Sequence, residues 1–417
     1  MKADVNDTLR NEGVDAVRAR HDRAKTYHRD IGLGVWNAGD DIEPPPPRGW
    51  LLGNTFCRCF NSSLIAEGGT GKTALRYLQA LALATGRALT GEHVFQRSRV
   101  LIVSLEDDDK ELRRRILAAR LHYNIPLFEL DGWLFLAAPG ARAGRLKTVN
   151  EKGQIVDGQL KASLEAAIEA YRTDLVLLDP FVKSHSIEEN SNTGIDDVVQ
   201  LLTDLAAKYD IAIDAPHHNT KGKSDPGNAD RGRGASAMKD AARLVSTLTP
   251  MSPEEAKAFG IPEHERRQYI RLDRAKTNIV RMSGSATWFK LVGIRLGNAT
   301  ALYPNGDEVQ TVEPWSPPET WAGLDDNLLN RILTEIDAGL PDKSRYSAEP
   351  RAAQRAAWRV VRKFAPDKTE AQAREIIKTW VASGLLVEIE YRNIADRKDR
   401  KGLRVDPTKR PGTCAIG

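Results

Sequence analysis

The chain is poor in cysteine: three among 417 residues, Cys57, Cys59 and Cys414. That excludes a disulfide framework and suits a reducing compartment. Cys57-x-Cys59 is half of a metal site at most, and with no further Cys or His cluster beside it, two ordinary thiols are expected. No run of 18 or more apolar residues exists, so no membrane-spanning helix is expected. The first residues, MKADVNDTLRNEG, are polar and of mixed charge, unlike a signal peptide, and the expected location is the cytoplasm. A large charge of one sign is also lacking, the formal net charge being +4. What excess exists is concentrated late: residues 391–417 hold eight Lys or Arg against three Asp. A basic tail points to a polyanionic partner, although a solvated charge run is the plainer reading.

Length and patterning supply the organisation. A chain of this size with 41% apolar residues is expected to form two or three domains around sizeable cores. Residues 1–30 read as helix without a strong apolar stripe. Four prolines at 44–47 then mark a linker. From about Trp50, short β-rich runs alternate with helical ones: SLIA then TALRYLQALALATG, RVLIVSL then KELRRRILAARL, and DLVLLDP then IDDVVQLLTDLAAKY. Such alternation predicts an α/β fold with a mainly parallel sheet and crossover helices. ARLVSTL, YIRLDRAK and ATWFKLV read as later, antiparallel strands. VEPWSPPETWAG, residues 312–323, reads as a second linker. Beyond it come three helices and two strands, the order of a winged helix-turn-helix. The expected domains are therefore 1–44 helical segment and linker, 45–311 nucleotide-binding core, 312–323 linker and 324–417 winged helix.

Residues 63–75, SLIAEGGTGKTAL, carry the sharpest chemistry. A strand, a glycine-rich turn and a helix starting at Lys72 are the parts of a phosphate loop. Gly68, Gly69 and Gly71 let backbone N–H groups, with those of Thr70 and Ala74, turn toward phosphate oxygens. Lys72 is expected to reach the β- and γ-phosphates of ATP and Thr73 to hold Mg²⁺. The usual first glycine is Ala66 here, which is tolerated if its φ is negative. DLVLLDP ends an apolar strand in Asp179, the carboxylate form that orders the water shell of Mg²⁺. The alternative is a strand ending in a turn-forming Asp-Pro. RVLIVSLEDDD places Glu106 at a strand end, expected to lie beside the phosphate-loop strand, as a candidate base. Asp107 to Asp109 are expected to favour the start of the next helix. IAIDAPHHNTKG puts His217 and His218 past another strand end, as a γ-phosphate sensor or as surface residues.

The order AEGGTGKT, SLEDD, LLDP, HHNTKG and RGASAMKDAAR resembles the RecA-like ATPases of the hexameric replicative helicase type. The chain looks similar to RepA-like plasmid and phage helicases of the AAA-25 group over about residues 48–295. The resemblance implies that Glu106 activates water and that His218 senses phosphate. It implies that Arg243, or else Arg233 or Arg231, is a finger reaching a neighbour's nucleotide. Lys276 stands where such helicases carry a trans-acting Lys-x-Arg pair, with Asn278 in place of the arginine. A homo-oligomeric, hexameric ring on single-stranded DNA follows from the same resemblance, with a primase or other replication protein as a further partner. Residues 4–24 are similar to the tail of a Toprim primase domain whose catalytic part is lacking, so no primase activity is expected.

DNA contact is expected on basic loops and on the C-terminal domain. Lys183 lies in the loop after Asp179, and Lys221, Lys223 and Arg231 lie in the polar stretch after His218. No aromatic accompanies them, so backbone contact rather than base stacking is expected. Arg374 and Lys378 lie four apart on the third C-terminal helix, with Ile377, Trp380 and Val381 packed inward. Arg392, Arg397, Lys398, Arg400 and Lys401 surround the hairpin turn. A protein-binding winged helix with a solvated wing is the alternative. The leading expectation is a Mg²⁺- and ATP-dependent DNA helicase or translocase. Its rivals are an ATP-switched DNA-binding regulator or loader, and a recombinase- or clock-type ATPase acting on protein.

Overall fold

The computed structural model describes residues 5–25, 35–41, 43–188, 191–218, 241–277, 279, 286–321, 323–393 and 397–411. It divides into two units, Met1–Arg48 and Gly49–Gly417. The first unit contains α1 (Val5–Lys25), which is broken at Gly13, where φ is 83°. The residues expected to form one helix thus form two, and the Arg20 guanidinium reaches back to donate to the Thr8 hydroxyl and to Glu12.

The second unit is built on one large sheet. In chain order its elements begin with a small hairpin, β1 (Trp50–Leu52) and β2 (Phe56–Cys57), then β3 (Asn61–Ala66), α2 (Lys72–Thr85), β4 (Val100–Ser104) and α3 (Asp109–His122). Next come β5 (Leu134–Ala137), the hairpin β6 (Lys147–Val149) and β7 (Ile155–Asp157), α4 (Gln159–Tyr171), β8 (Leu175–Asp179) and α5 (Asn192–Tyr209). They are followed by β9 (Ala212–Asp214), β10 (His217–His218), β11 (Leu244–Pro250), α6 (Pro253–Phe259), β12 (Tyr269–Thr277), β13 (Thr287–Arg295) and β14 (Glu308–Trp315). The strand order is β14-β13-β12-β11-β3-β9-β8-β4-β5, with β10 also paired to β3. Strands from β11 to β5 are parallel, whereas β11 to β14 pair antiparallel. The α/β class and the mainly parallel sheet follow the sequence pattern.

Period-two alternation explains the two cores. Val100, Ile102, Leu175 and Leu177 face α2 and α3, while Leu101, Val103, Val176 and Leu178 face α4 and α5. Both faces are covered, which is why these strands read as continuous apolar runs. The antiparallel end of the sheet curls over α2 and α3. Ile270, Phe289, Leu291 and Val312 join the same cluster as Leu75, Leu78 and Leu112. Polar ties fix the curl: the Tyr123 hydroxyl donates to the Val312 carbonyl at 2.9 Å, and Arg114 Nε donates to Asp307 at 3.0 Å.

Several expectations are corrected. β4 does not lie beside the phosphate-loop strand, because β9 and β8 stand between them. The expected linker from Val312 begins as strand, since β14 runs to Trp315. Val312 is fully buried there, and Trp315 packs edge-on against Tyr269 and Trp288 and tilted against Phe259. Hairpin β1–β2, hairpin β6–β7 and the short β10 were not anticipated.

The C-terminal part holds α7 (Asp326–Ala338), α8 (Trp358–Phe364), α9 (Glu370–Ala382) and the hairpin β15 (Leu386–Arg392) and β16 (Asp399–Val405). Its own core includes Ile332, Ile336, Val361, Ile377, Trp380 and Leu403. The second of these helices is shorter than its alanine-rich sequence suggests. Residues 350–357 instead form turns tied to a bridge between Ser347 and Ala356, with Arg355 donating to the carbonyls of Arg345 and Lys401. Tertiary bonds here override helix propensity. This part is not set off as a separate unit from the sheet: the Gln372 amide and the Lys368 ammonium donate to the carbonyls of Pro318 and Glu319.

Candidate active site

The phosphate loop occupies the C-terminal end of β3. Ala66, the last residue of β3, is 2% exposed and in strand conformation, so the usual glycine is not needed there. Gly69 and Gly71 have φ of 77° and 92°, conformations that L side chains rarely adopt. A Cβ on Gly71 would also stand 2.6 Å from Leu291 Cδ2 on β13. Gly68 faces open space. Thr70 donates its hydroxyl to the Glu67 carbonyl at 2.8 Å, closing the turn. Ala74 is buried and joins the core beneath the loop. Gly71 is the N-cap of α2, and no side chain caps this terminus.

Around the loop lies a cavity of about 220 Å³ whose lining includes Lys72, Thr73, Glu106, Asp179 and His218. The fold brings these together because β4, β8 and β10 all end at the same edge of the sheet. Ser104 and Asp179 are register partners, and His218 pairs with Ala66. Thr73 donates its hydroxyl to Asp179 Oδ2 at 2.8 Å. Glu106 sits on the turn after β4, its side chain 60% exposed, with Oε2 at 3.9 Å from His218 Nε2. The Lys72 side chain is buried, yet its Nζ makes no hydrogen bond among the described residues.

Burial dominates the electrostatics. It pushes the Asp179 carboxyl above the usual carboxylate range, opposed by the Lys72 charge and the Thr73 hydrogen bond. It pushes the Lys72 ammonium down, opposed by Asp179, Glu106 and Asp214. His218 is lowered by burial and then by Lys72, against Glu106 and Asp179. A neutral imidazole there can donate or accept one hydrogen bond.

These features fit a nucleoside triphosphate with a divalent cation. A buried ammonium with no hydrogen-bond partner among the described residues and an uncapped helix N-terminus both call for an anion. Among the described residues no group of three His, Cys, Asp or Glu could hold a metal. A cation would thus take only Thr73 and Asp179 from the protein, with phosphate and water as its other ligands, a Mg²⁺-like arrangement.

Sequence reasoning missed five residues at this cavity: Glu67, Ser104, Asp107, Arg115 and Gln310. Asp108 alone caps α3, accepting from the Glu111 N–H. Asp107 instead pairs with Arg115 at 2.8 Å and donates its N–H to the Ser104 hydroxyl. Arg115 carries no signal within RRR at 113–115. Gln310 reaches the site only through the curl of β14.

Other expected residues lie elsewhere. Arg243 is exposed at the start of β11, and its N–H donates to Asn61. Lys276 on β12 pairs with Val245 at the same edge. That edge is about 16 Å from the phosphate loop, the length of five strand residues, so neither acts on its own chain's site. Lys183 is exposed just beyond β8. Lys221, Lys223, Arg231, Arg233 and Asn278 fall outside the described residues. On α9, Arg374 pairs with Glu370 and packs over Trp358, and Lys378 pairs with Glu375 at 3.4 Å. Arg392 pairs with Asp399 at 3.6 Å, while Arg397, Lys398 and Lys401 are exposed and Arg400 is half-buried at the hairpin end.

Fold and site together define a P-loop nucleotide-binding protein. The family model described as an AAA domain, AAA-25, matches residues 27–224, a little under half of the chain. That segment holds the phosphate loop, Glu106, Asp179 and His218 and stops before Arg243, and its match supports a P-loop ATPase of that kind. Among solved structures the chain is similar to a KaiC-like protein from the hyperthermophilic archaeon Pyrococcus horikoshii. The two are 14% identical, with 63% of this chain and 91% of that one covered, at a TM-score of 0.38. No helix among the described residues is long and apolar enough to cross a membrane.

Proposed function

We propose that the chain is an ATP-driven DNA motor of the RepA-like helicase type, working as a homo-oligomeric, hexameric ring in the replication of a plasmid, phage or mobile element. The observation that carries the reading is the grouping of Lys72, the Thr73–Asp179 pair, Glu106 and His218 around one cavity. Bound MgATP supplies the electrophilic phosphorus. Lys72 neutralises phosphate charge, and Thr73 and Asp179 would hold the cation, which would screen the phosphate charge. Glu106, exposed at the mouth, accepts the proton of the attacking water. His218 contacts the γ-phosphate. Its strand leads into residues 219–240, which carry Lys221, Lys223 and Arg231 for DNA phosphates.

Arg243 and Lys276, with Arg233, serve the nucleotide of a neighbouring copy in this reading. The placement of Arg243 and Lys276 at the far sheet edge supports it, since a finger cannot serve its own loop from there. Lys183 extends the DNA path, and the hairpin with Arg397, Lys398, Arg400 and Lys401 acts as a wing on the backbone. A primase or another replication protein is the further partner, in the cytoplasm.

One observation favours the loader form of the second reading, an ATP-switched DNA-binding regulator or loader, because it suits a helix that faces protein rather than DNA. The cations of α9 are paired along the helix with Glu370 and Glu375, which leaves that face neutral. The test is ATP turnover with Mg²⁺ as single-stranded DNA is added, followed by displacement of a forked duplex. Stimulation with unwinding is expected. Turnover indifferent to DNA would refute the motor, and stimulation without unwinding would favour the switch.

A further inference from the structure

α2 carries a second buried cation, Arg76, one helical turn beyond Lys72 and on the same face. Its guanidinium grips Asp214 of β9 through two hydrogen bonds of 2.9 Å, and the Ser62 hydroxyl donates to the same carboxylate at 2.6 Å. Arg76 is 1% and Asp214 0% exposed. The network continues through Gln79 to Glu92, which pairs with Arg274. Asp214 and Glu92 thus balance Arg76 and Arg274, and Lys72 is left over.

Three carboxylates act on Lys72: Asp179, Glu106 and Asp214. The first two line the nucleotide cavity, whereas Asp214 lies outside it, between helix and sheet. A hydrogen bond to Asp214 would draw the Lys72 ammonium down and away from the phosphates. We propose that Arg76 is a positioning residue for phosphate binding: by occupying Asp214 it leaves the Lys72 ammonium free for the nucleotide. The inference rests on the reading of the loop as a nucleotide site, and neither Arg76 nor Asp214 touches the nucleotide in it.

A charge balance predicts a pattern of affinities that a merely structural ion pair does not. The full chain is titrated with a fluorescent methylanthraniloyl-ATP and Mg²⁺, and melting temperatures are recorded in parallel. Burial pushes the Asp214 carboxyl above the usual carboxylate range and Arg76 opposes it, so at a pH where the carboxyl is still ionised Arg76→Met leaves an uncompensated charge and weakens binding roughly tenfold or more, the scale of one buried charge at an effective dielectric of about 20. Adding Asp214→Asn to Arg76→Met removes that charge and returns affinity to about threefold of wild type, well inside one tenfold step. Asp214→Asn alone adds net positive charge and does not weaken binding. The proposal is overturned if the folded double variant binds as weakly as Arg76→Met, or if Asp214→Asn alone weakens binding as much. Should Arg76→Met fail to fold, Asp214→Asn and the double variant still decide. A wild type that binds no MgATP would refute the reading of the loop and this inference together, a result distinct from failed rescue.

Discussion

Replacing Lys72 by methionine separates a ligand-binding lysine from a structural one. The stem of Lys72 is buried, and methionine keeps most of its packing. The ammonium makes no hydrogen bond among the described residues, and an unsatisfied buried donor costs about 1–3 kcal/mol. Lys72→Met therefore removes a cost from the nucleotide-free protein. Asp179 loses its nearby cation but is already pushed toward its neutral form by burial. Unfolding entropy of about 2.1 cal/mol/K per residue makes 1 kcal/mol worth roughly 1 °C in a chain of this size. The expected melting temperature without nucleotide is thus unchanged or raised by about 1–3 °C on that scale. Wild type with MgATP at about 100 times its Kd should gain about 2.7 kcal/mol, hence roughly 3 °C, and Lys72→Met should gain none. Thermal melts with and without MgATP read both effects. A Lys72→Met protein that melts several degrees lower without nucleotide, or that keeps the full MgATP shift, would refute the reasoning.

Gly71→Ala forces a left-handed alanine, costing about 1–2 kcal/mol, and sets its Cβ against Leu291. Lower thermal stability and a loss of MgATP binding are expected, and unchanged binding would show the loop geometry to be unimportant. Burial pushes His185 down to about 4, from a usual value near 6.5. The unfolded chain binds the extra proton first, so stability is full above about pH 6.5 and falls by about 3 kcal/mol as pH drops through 4. Chemical denaturation across that window should show a smaller acid loss for His185→Phe, and an unaltered slope would contradict the burial argument. Arg400→Ala with Lys401→Ala removes two cations of the hairpin. DNA affinity should fall, and the slope of log K against log salt should flatten by about 1–2. An unchanged slope would show that the hairpin does not meet phosphate.

Much of the site was legible because its chemistry is local. GGTGKT fixes backbone, ammonium and hydroxyl within six residues, and strands 5 residues long that end in Ser104 or Asp179 can deliver polar groups only at their tips. The sheet order was less legible. That two strands stand between β4 and β3 depends on crossovers whose paths no local pattern records. Gln310 and Arg115 were unreadable for the same reason, since one arrives by the curl of β14 and the other lies within a run of three arginines. Pro314, Pro317 and Pro318 suggested a break from Val312, but burial of Val312 and Trp315 carries the strand into it. Ala66 turned out to be unremarkable, since a strand end accepts its methyl group. Arg76 and Asp214 left no trace, because a charge inside a helical stripe reads as solvent-facing until its partner on another strand is known.

The most direct measurement is ATP turnover by Glu106→Gln at saturating MgATP. Glu106 stands at the mouth of the cavity beside His218, exposed enough to meet water, and the amide keeps its shape but cannot take a proton. The account predicts nucleotide affinity equal to wild type with turnover lowered by about 100-fold or more, the usual contribution of a general base. Turnover at the wild-type rate would contradict it.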